Sequence, residues 1–181
     1  MTDSQAPLEP RGFGCIAVTY SDQAWATIAL NRPERLNTLS IRLRQERARG
    51  VGHLESEEGS PVLLLPGGGG AFPAGLDLDE WESPEGPAAA AYVHDAVAAL
   101  RQFSGPIIAA VNGVAVTGGV ELVLACDVIV ASDRARFADT HARVGRFPGW
   151  GGSARLIQRV GLHRAKQLAL TGRFFTAQEA A

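Results

Sequence analysis

Lysine is nearly missing from this chain: of its 17 basic side chains, all but Lys166 are arginine. Set against 19 acidic residues, they leave a formal net charge of -2 and an isoelectric point near 6.1. That excludes the basic footprint of a nucleic-acid binder. Cysteine is as scarce. Cys15 and Cys126 stand in apolar contexts on separate segments, which reads as two buried small hydrophobes in a reducing compartment rather than a disulfide. His53, His94, His141 and His163 show no paired ligand spacing, and neither CxxC nor HExxH occurs, so no metal site is expected. No apolar run approaches the ~20 residues of a membrane helix. Met1 to Pro10 is polar and proline-bearing, unlike a secretory signal, so a cytoplasmic protein without a membrane partner is expected.

What remains is ordinary globular material. With 181 residues, 46% hydrophobic and 20% charged, the chain can bury a core in one domain. Residues 1–12 read as a flexible leader and 13–181 as the domain. Phe13 to Tyr20 and Ala24 to Leu30 predict a hairpin across Ser21-Asp22. From Ile41 to Ser60 the pattern is weak, interrupted by Gly50 and Gly52, and only its front half predicts a helix. Pro61 to Leu65 reads as a buried strand. Gly86-Pro87 opens a helix whose Val93, Val97, Leu100 and Phe103 keep the spacing of one buried face. Strands at Ile107 to Val111 and Asp127 to Ala131 alternate with helices at Gly118 to Ala125, Arg155 to Val160 and Arg164 to Leu170. Such alternation implies parallel strands joined by crossovers, hence the α/β class.

The chemistry concentrates where strands run into glycines. Ala109 to Val116 passes through Thr117 into Gly118-Gly119 and then a helix that carries Glu121 on its first turn. Glycines there leave N–H groups uncovered at a helix start, where orphan donors and the positive dipole end favour developing negative charge. A tight strand-to-helix turn with a dipole-complementing glutamate is the bland reading of the same residues. A second strand end, Pro66-Gly67-Gly68-Gly69-Gly70, opens into Ala71-Phe72-Pro73-Ala74-Gly75-Leu76-Asp77-Leu78.

Together these segments resemble the crotonase, or enoyl-CoA hydratase/isomerase, family, with its AF-x-AG-x-D-L and AAVNG-x-A-x-GG-x-EL-x-LACD stretches. Leu30 to Leu39 resembles the family's LNRPE-x-LN-x-L opening. Phe137-Ala138, followed by Pro148-Gly149-Trp150-Gly151-Gly152 and Arg155-Leu156, resembles a third block. The resemblance implies a superhelix of strand-strand-helix turns and an acyl-CoA thioester as substrate, coenzyme A being part of that substrate and no separate cofactor being needed. It implies backbone N–H donors at Leu76 and Gly118 for the thioester oxygen, each worth roughly 3 kcal/mol in the transition state. It implies catalysis by Glu121; where the hydratase pattern has a second glutamate stands His141, either a residue able to hold or relay a proton near neutrality or a structural histidine. Asp139 is a substitute carboxylate or a turn residue. Arg35, Leu36 and Ala74 fall where the family's coenzyme A lies, though Arg35 also reads as a solvated surface charge. Asp77 is a candidate to orient the first loop, and Trp81 and Trp150 either wall the acyl pocket or simply pack.

A hydratase-like lyase is the expected activity. Alternatives are a catalytically silent acyl-CoA-binding homologue, a family enzyme with another reaction, and a serine hydrolase, the last weakened because Ser153 lacks a GxSxG elbow and a base partner. Thr176-Ala177-Gln178-Glu179 spells a capping box with little helix after it, so the C-terminal helical region that the resemblance implies, with its homotrimer or dimer of trimers, looks truncated.

Overall fold

The computed structural model describes residues 13–21, 25–56, 61–84 and 97–181. The expected leader, Asp22 of the hairpin turn and most of the helix expected after Gly86 lie outside the described residues.

Strands β1 (Ile16–Tyr20) and β2 (Trp25–Leu30) form the expected antiparallel hairpin, with Val18 opposite Ile28. Alternate residues Ala26, Ile28 and Leu30 point into the core and are fully buried. Helix α1 (Ile41–Glu55) starts at Ser40, whose hydroxyl accepts the Leu43 N–H at 3.1 Å. It runs through both Gly50 and Gly52, correcting the half-length helix read from the sequence. The reason is packing: a methyl group on Gly50 would stand 3.1 Å from Ile16 Cδ1 and 3.3 Å from Ile28 Cδ1, so this glycine lets α1 lie close on the hairpin. The same helix buries Glu46, whose carboxylate accepts the Gly14 and Cys15 N–H groups at 2.9 and 2.6 Å and Arg42 Nε at 2.7 Å.

There follow β3 (Val62–Pro66), α2 (Leu78–Trp81), α3 (Ala98–Gln102), β4 (Ile107–Val111), β5 (Val114–Val116) and α4 (Gly118–Ala125). The chain continues through β6 (Val128–Ala131), β7 (Arg136–Ala138), a 3-10 turn (His141–Val144), α5 (Gly152–Val160), α6 (Leu162–Thr171), β8 (Phe175–Thr176) and α7 (Ala177–Ala180). One sheet has the order β1-β2-β3-β4-β6, parallel from β2 onward. A second has the order β5-β7-β8, in which β5 and β7 are parallel. The α/β class expected from the alternation is present. The expected capping box is present too: Thr176 Oγ1 accepts the Glu179 N–H at 3.1 Å and Glu179 Oε2 accepts the Thr176 N–H at 2.9 Å. Cys15 and Cys126 are buried and unbridged, and burial pushes the Cys126 thiol up to about 12. No helix among the described residues is long and apolar enough to cross a membrane.

The second sheet sets the position of everything that follows. Because β5 and β7 run parallel, their carboxyl ends finish side by side, and the Thr117 N–H extends the ladder to the Ala138 carbonyl at 2.9 Å. The loop after β3 is drawn to the same edge. Asn112 Nδ2 donates to the Gly67 and Gly69 carbonyls at 2.8 and 2.6 Å, and the Val116 N–H donates to Pro73 O at 3.1 Å.

Candidate functional site

Outside the carboxyl ends of parallel strands is where open α/β folds collect ligand-binding groups. Here three chain segments meet at such an edge. Gly75 has φ +102°, and a Cβ there would fall 2.1 Å from Thr117 Oγ1. The residues just before Leu76 and Gly118 are thus in direct contact, which makes the two peptide units neighbours. Leu39 sits between them: it pairs with Leu76 in an isolated bridge, and its Cδ1 would lie 3.1 Å from a Cβ on Gly118. Neither the Leu76 nor the Gly118 N–H meets an acceptor among the described residues.

Thr117 carries backbone strain. At φ 47° and ψ -110° it occupies a region that β-branched residues avoid, held there by its N–H on Ala138 O and by the Glu121 N–H on its own carbonyl at 3.0 Å. The peptide so twisted is the one whose N–H belongs to Gly118.

Glu121 lies one turn into α4 and is 3% exposed. Its Oε1 accepts two backbone donors, Trp150 N–H at 2.8 Å and Gly152 N–H at 2.9 Å, from the turn that opens α5. With Oε1 moored, Oε2 is the oxygen left to act, and it stands 3.6 Å from His141 Nε2. That distance exceeds a direct hydrogen bond. The other ring nitrogen, Nδ1, lies 2.6 Å from Asp139 Oδ1, which also accepts the His141 backbone N–H at 3.2 Å. Glu121, His141 and Asp139 therefore form one line of polar atoms. Burial pushes the Glu121 carboxyl above its ordinary 4.5; the Gly152 and Trp150 N–H groups and His141 pull it back, while Asp139 adds to the rise.

That shift has a consequence for stability. A carboxyl with a raised folded-state pKa binds its proton more tightly folded than unfolded. Its contribution is complete below about 4.5 and is lost as pH climbs through the folded value. Thermal melting across pH should thus show Glu121→Gln gaining on the parent protein as pH rises from 4.5, because the amide has no charge to bury. A melting difference that stays constant across this window would contradict the assignment.

The residues assigned to coenzyme A lie on the neighbouring rim. Arg35 is half exposed, 3.6 Å from Asp77 Oδ1 and bonded to Asp79, and Leu36 is exposed at φ 50° with its carbonyl accepting the Ala74 N–H at 3.1 Å. Asp77 is buried. Burial works to raise its carboxyl, but Arg32 at 3.0 Å, Thr38 at 3.2 Å and the charge of Arg35 more than offset this and hold it below the ordinary range. Arg32 was not singled out by sequence, nor were the Trp150 and Gly152 amides, although Pro148-Gly149-Trp150-Gly151-Gly152 signals a turn with exposed backbone. Trp81 lines a small cavity with Leu39 and Leu76 and lies under Arg146 at 4.3 Å, whereas the buried Trp150 packs its ring against Gly118. Ser153 is exposed at the start of α5.

Strand ends converging on strained backbone, beside a buried carboxyl facing a histidine, form an acid–base site on an α/β chain. A family model described as enoyl-CoA hydratase/isomerase matches residues 21–181. The chain is 39% identical over 155 residues to a probable peroxisomal enoyl-CoA hydratase 1 of Arabidopsis thaliana, covering 86% of this chain and 58% of that protein. It is 38% identical over 169 residues to a probable mitochondrial enoyl-CoA hydratase of Dictyostelium discoideum, covering 92% and 60%. The crystal structure of enoyl-CoA hydratase from Bacillus anthracis superposes with a TM-score of 0.86 at 37% identity, covering 92% of this chain and 66% of that one. The chain belongs to the enoyl-CoA hydratase/isomerase family. It spans about 60% of the length of the curated relatives it matches.

Proposed function

We propose that this chain supplies the catalytic centre of an enoyl-CoA hydratase-like lyase. The observation that carries the reading is the line Glu121 Oε2, His141 Nε2, Nδ1 and Asp139 Oδ1, lying beside the contact of Gly75 with Thr117.

Hydration of a conjugated thioester needs a base for water, an acid for the α-carbon and a holder for the enolate between them. In this reading the Leu76 and Gly118 N–H groups hold the thioester oxygen. His141, with a carboxylate behind it, takes a proton from water as the oxygen bonds the β-carbon. The double-bond electrons move onto the thioester as an enolate. Glu121, whose hold on a proton is strengthened by burial, returns a proton to the α-carbon from Oε2. A proton passing from Nε2 to Oε2, 3.6 Å away, restores both groups. Histidine thus fills the role for which the hydratase pattern has a second glutamate. Arg35, Leu36, Ala74 and Asp77 form the rim assigned to coenzyme A. A homotrimer or dimer of trimers in the cytoplasm goes with this reading.

Mixing the protein with short- and medium-chain enoyl-CoA thioesters should consume the conjugated double bond, followed by its ultraviolet absorbance, with 3-hydroxyacyl-CoA as product. Thioester binding without turnover would replace this reading with that of a silent acyl-CoA binder.

A further inference from the structure

We propose that Asp139 is a positioning residue that fixes the tautomer of His141, so that an unprotonated Nε2 is presented to the reaction cleft and to Glu121. The inference rests on the acid–base reading above. It adds a role that neither the resemblance nor the comparisons assign.

The geometry allows little else. A carboxylate oxygen only accepts, so at 2.6 Å from Asp139 Oδ1 the Nδ1 atom of His141 must carry a hydrogen. A neutral imidazole then has its lone pair on Nε2, the atom 3.6 Å from Glu121 Oε2. The ring is fixed as well as polarised, because the same Oδ1 accepts the His141 backbone N–H at 3.2 Å, closing a two-residue turn around the carboxylate. Asp139 is 7% exposed and leaves β7 directly after Ala138, whose carbonyl is tied to Thr117 N–H, so its own place is set by the sheet. Among the described residues, the carboxylates that bear on the ring are Asp139 from its own segment and Glu121 from α4. Without Asp139 the imidazole is free to carry its hydrogen on Nε2, where it points at the cleft as a donor and cannot accept a proton from water.

The test reads the tautomer directly. In uniformly 15N-labelled protein, long-range proton–nitrogen correlation spectra separate protonated from unprotonated ring nitrogens. Only four histidines are present, so His141→Gln assigns the resonance. The parent protein should show His141 with Nδ1 protonated and Nε2 unprotonated near neutral pH. Asp139→Ala should shift the population to the Nε2–H form and lower kcat at least about tenfold, part of the roughly 10²-fold or more that general acid–base catalysis supplies, with KM for the thioester within about twofold. If Asp139→Ala does not fold, Asp139→Asn decides the question. Its amide oxygen can still accept the backbone N–H while the charge is gone, and a mixed tautomer with lowered kcat is expected. An unchanged Nδ1–H tautomer and unchanged kcat in whichever variant folds would overturn the proposal. Should the parent protein turn over no enoyl thioester, the acid–base reading fails, while the tautomer spectra still decide the role of Asp139.

Discussion

Glu121→Gln should lower kcat for enoyl-thioester hydration at least about a hundredfold, with KM within about twofold of the parent value. The substitution is nearly isosteric and leaves the mooring intact, since an amide oxygen at Oε1 accepts the Trp150 and Gly152 N–H groups as well as a carboxylate does. What it removes is the capacity to give and take a proton at Oε2, the one oxygen of the pair that faces His141. A loss confined to kcat therefore reports transition-state chemistry rather than substrate binding. The same variant should melt higher than the parent at neutral pH, because a buried carboxyl that resists ionisation is replaced by a neutral group. Steady-state kinetics and thermal melting on one preparation test both. A Glu121→Gln protein that turns over at the parent rate removes Glu121 from the mechanism, whatever its melting temperature.

The opposite signs of those effects explain how the local fold makes a reactive group out of a helix residue. Glutamate on the first turn of a helix complements the dipole at a cost that is small when exposed. In α4 the following residues Leu122, Val123 and Leu124 are buried, so the helix is a core element and Glu121 is carried inward with it. The turn between Pro148 and Gly152 then satisfies one oxygen with main-chain donors and leaves the other facing histidine. Stability is given up locally, and the carboxyl binds its proton more tightly for it.

The glycine-rich strand ends, the early glutamate and the α/β alternation were legible in the sequence because each is local. A strand that runs into Gly118-Gly119 and a helix has the same spelling wherever it sits in the fold. The meeting of Glu121 with His141 was not legible from the residues themselves, only from the resemblance. It depends on β5 pairing with β7, three residues each, too short to show a period of two. The mooring of Oε1 was hidden for another reason: its donors are main-chain N–H groups, which have no side-chain identity to read. Gly50 misled because glycine in a helix is a breaker by propensity, and only the distance to Ile16 and Ile28 reveals it as a packing residue. Asp139 was half legible. Its turn geometry followed from residue type, but the bond to the imidazole needed coordinates.

Gly118→Ala should lower kcat/KM at least about a hundredfold, the scale of losing one oxyanion donor. Alanine is the better helix former, so the secondary structure of α4 gains from the change and cannot account for the loss. The added methyl instead meets Trp150 Cζ3 at 2.5 Å and Leu39 Cδ1 at 3.1 Å. Both neighbours have a second duty. Trp150 offers its backbone N–H to Glu121 Oε1, and Leu39 is bridged to Leu76, so moving them disturbs the carboxyl and the other amide at once. Relief is expected from a second substitution. Trp150→Phe removes the outer ring that the methyl strikes while keeping the backbone donor, so on the Gly118→Ala background it should recover at least about tenfold of the lost kcat/KM, a coupling of roughly 1.4 kcal/mol. Measured alone, Trp150→Phe opens space beside Gly118 and should change kcat/KM less than Gly118→Ala does. Equal activity of Gly118→Ala and the parent protein would show that substrate does not approach this peptide, and the pair of amides at 76 and 118 would lose its assignment.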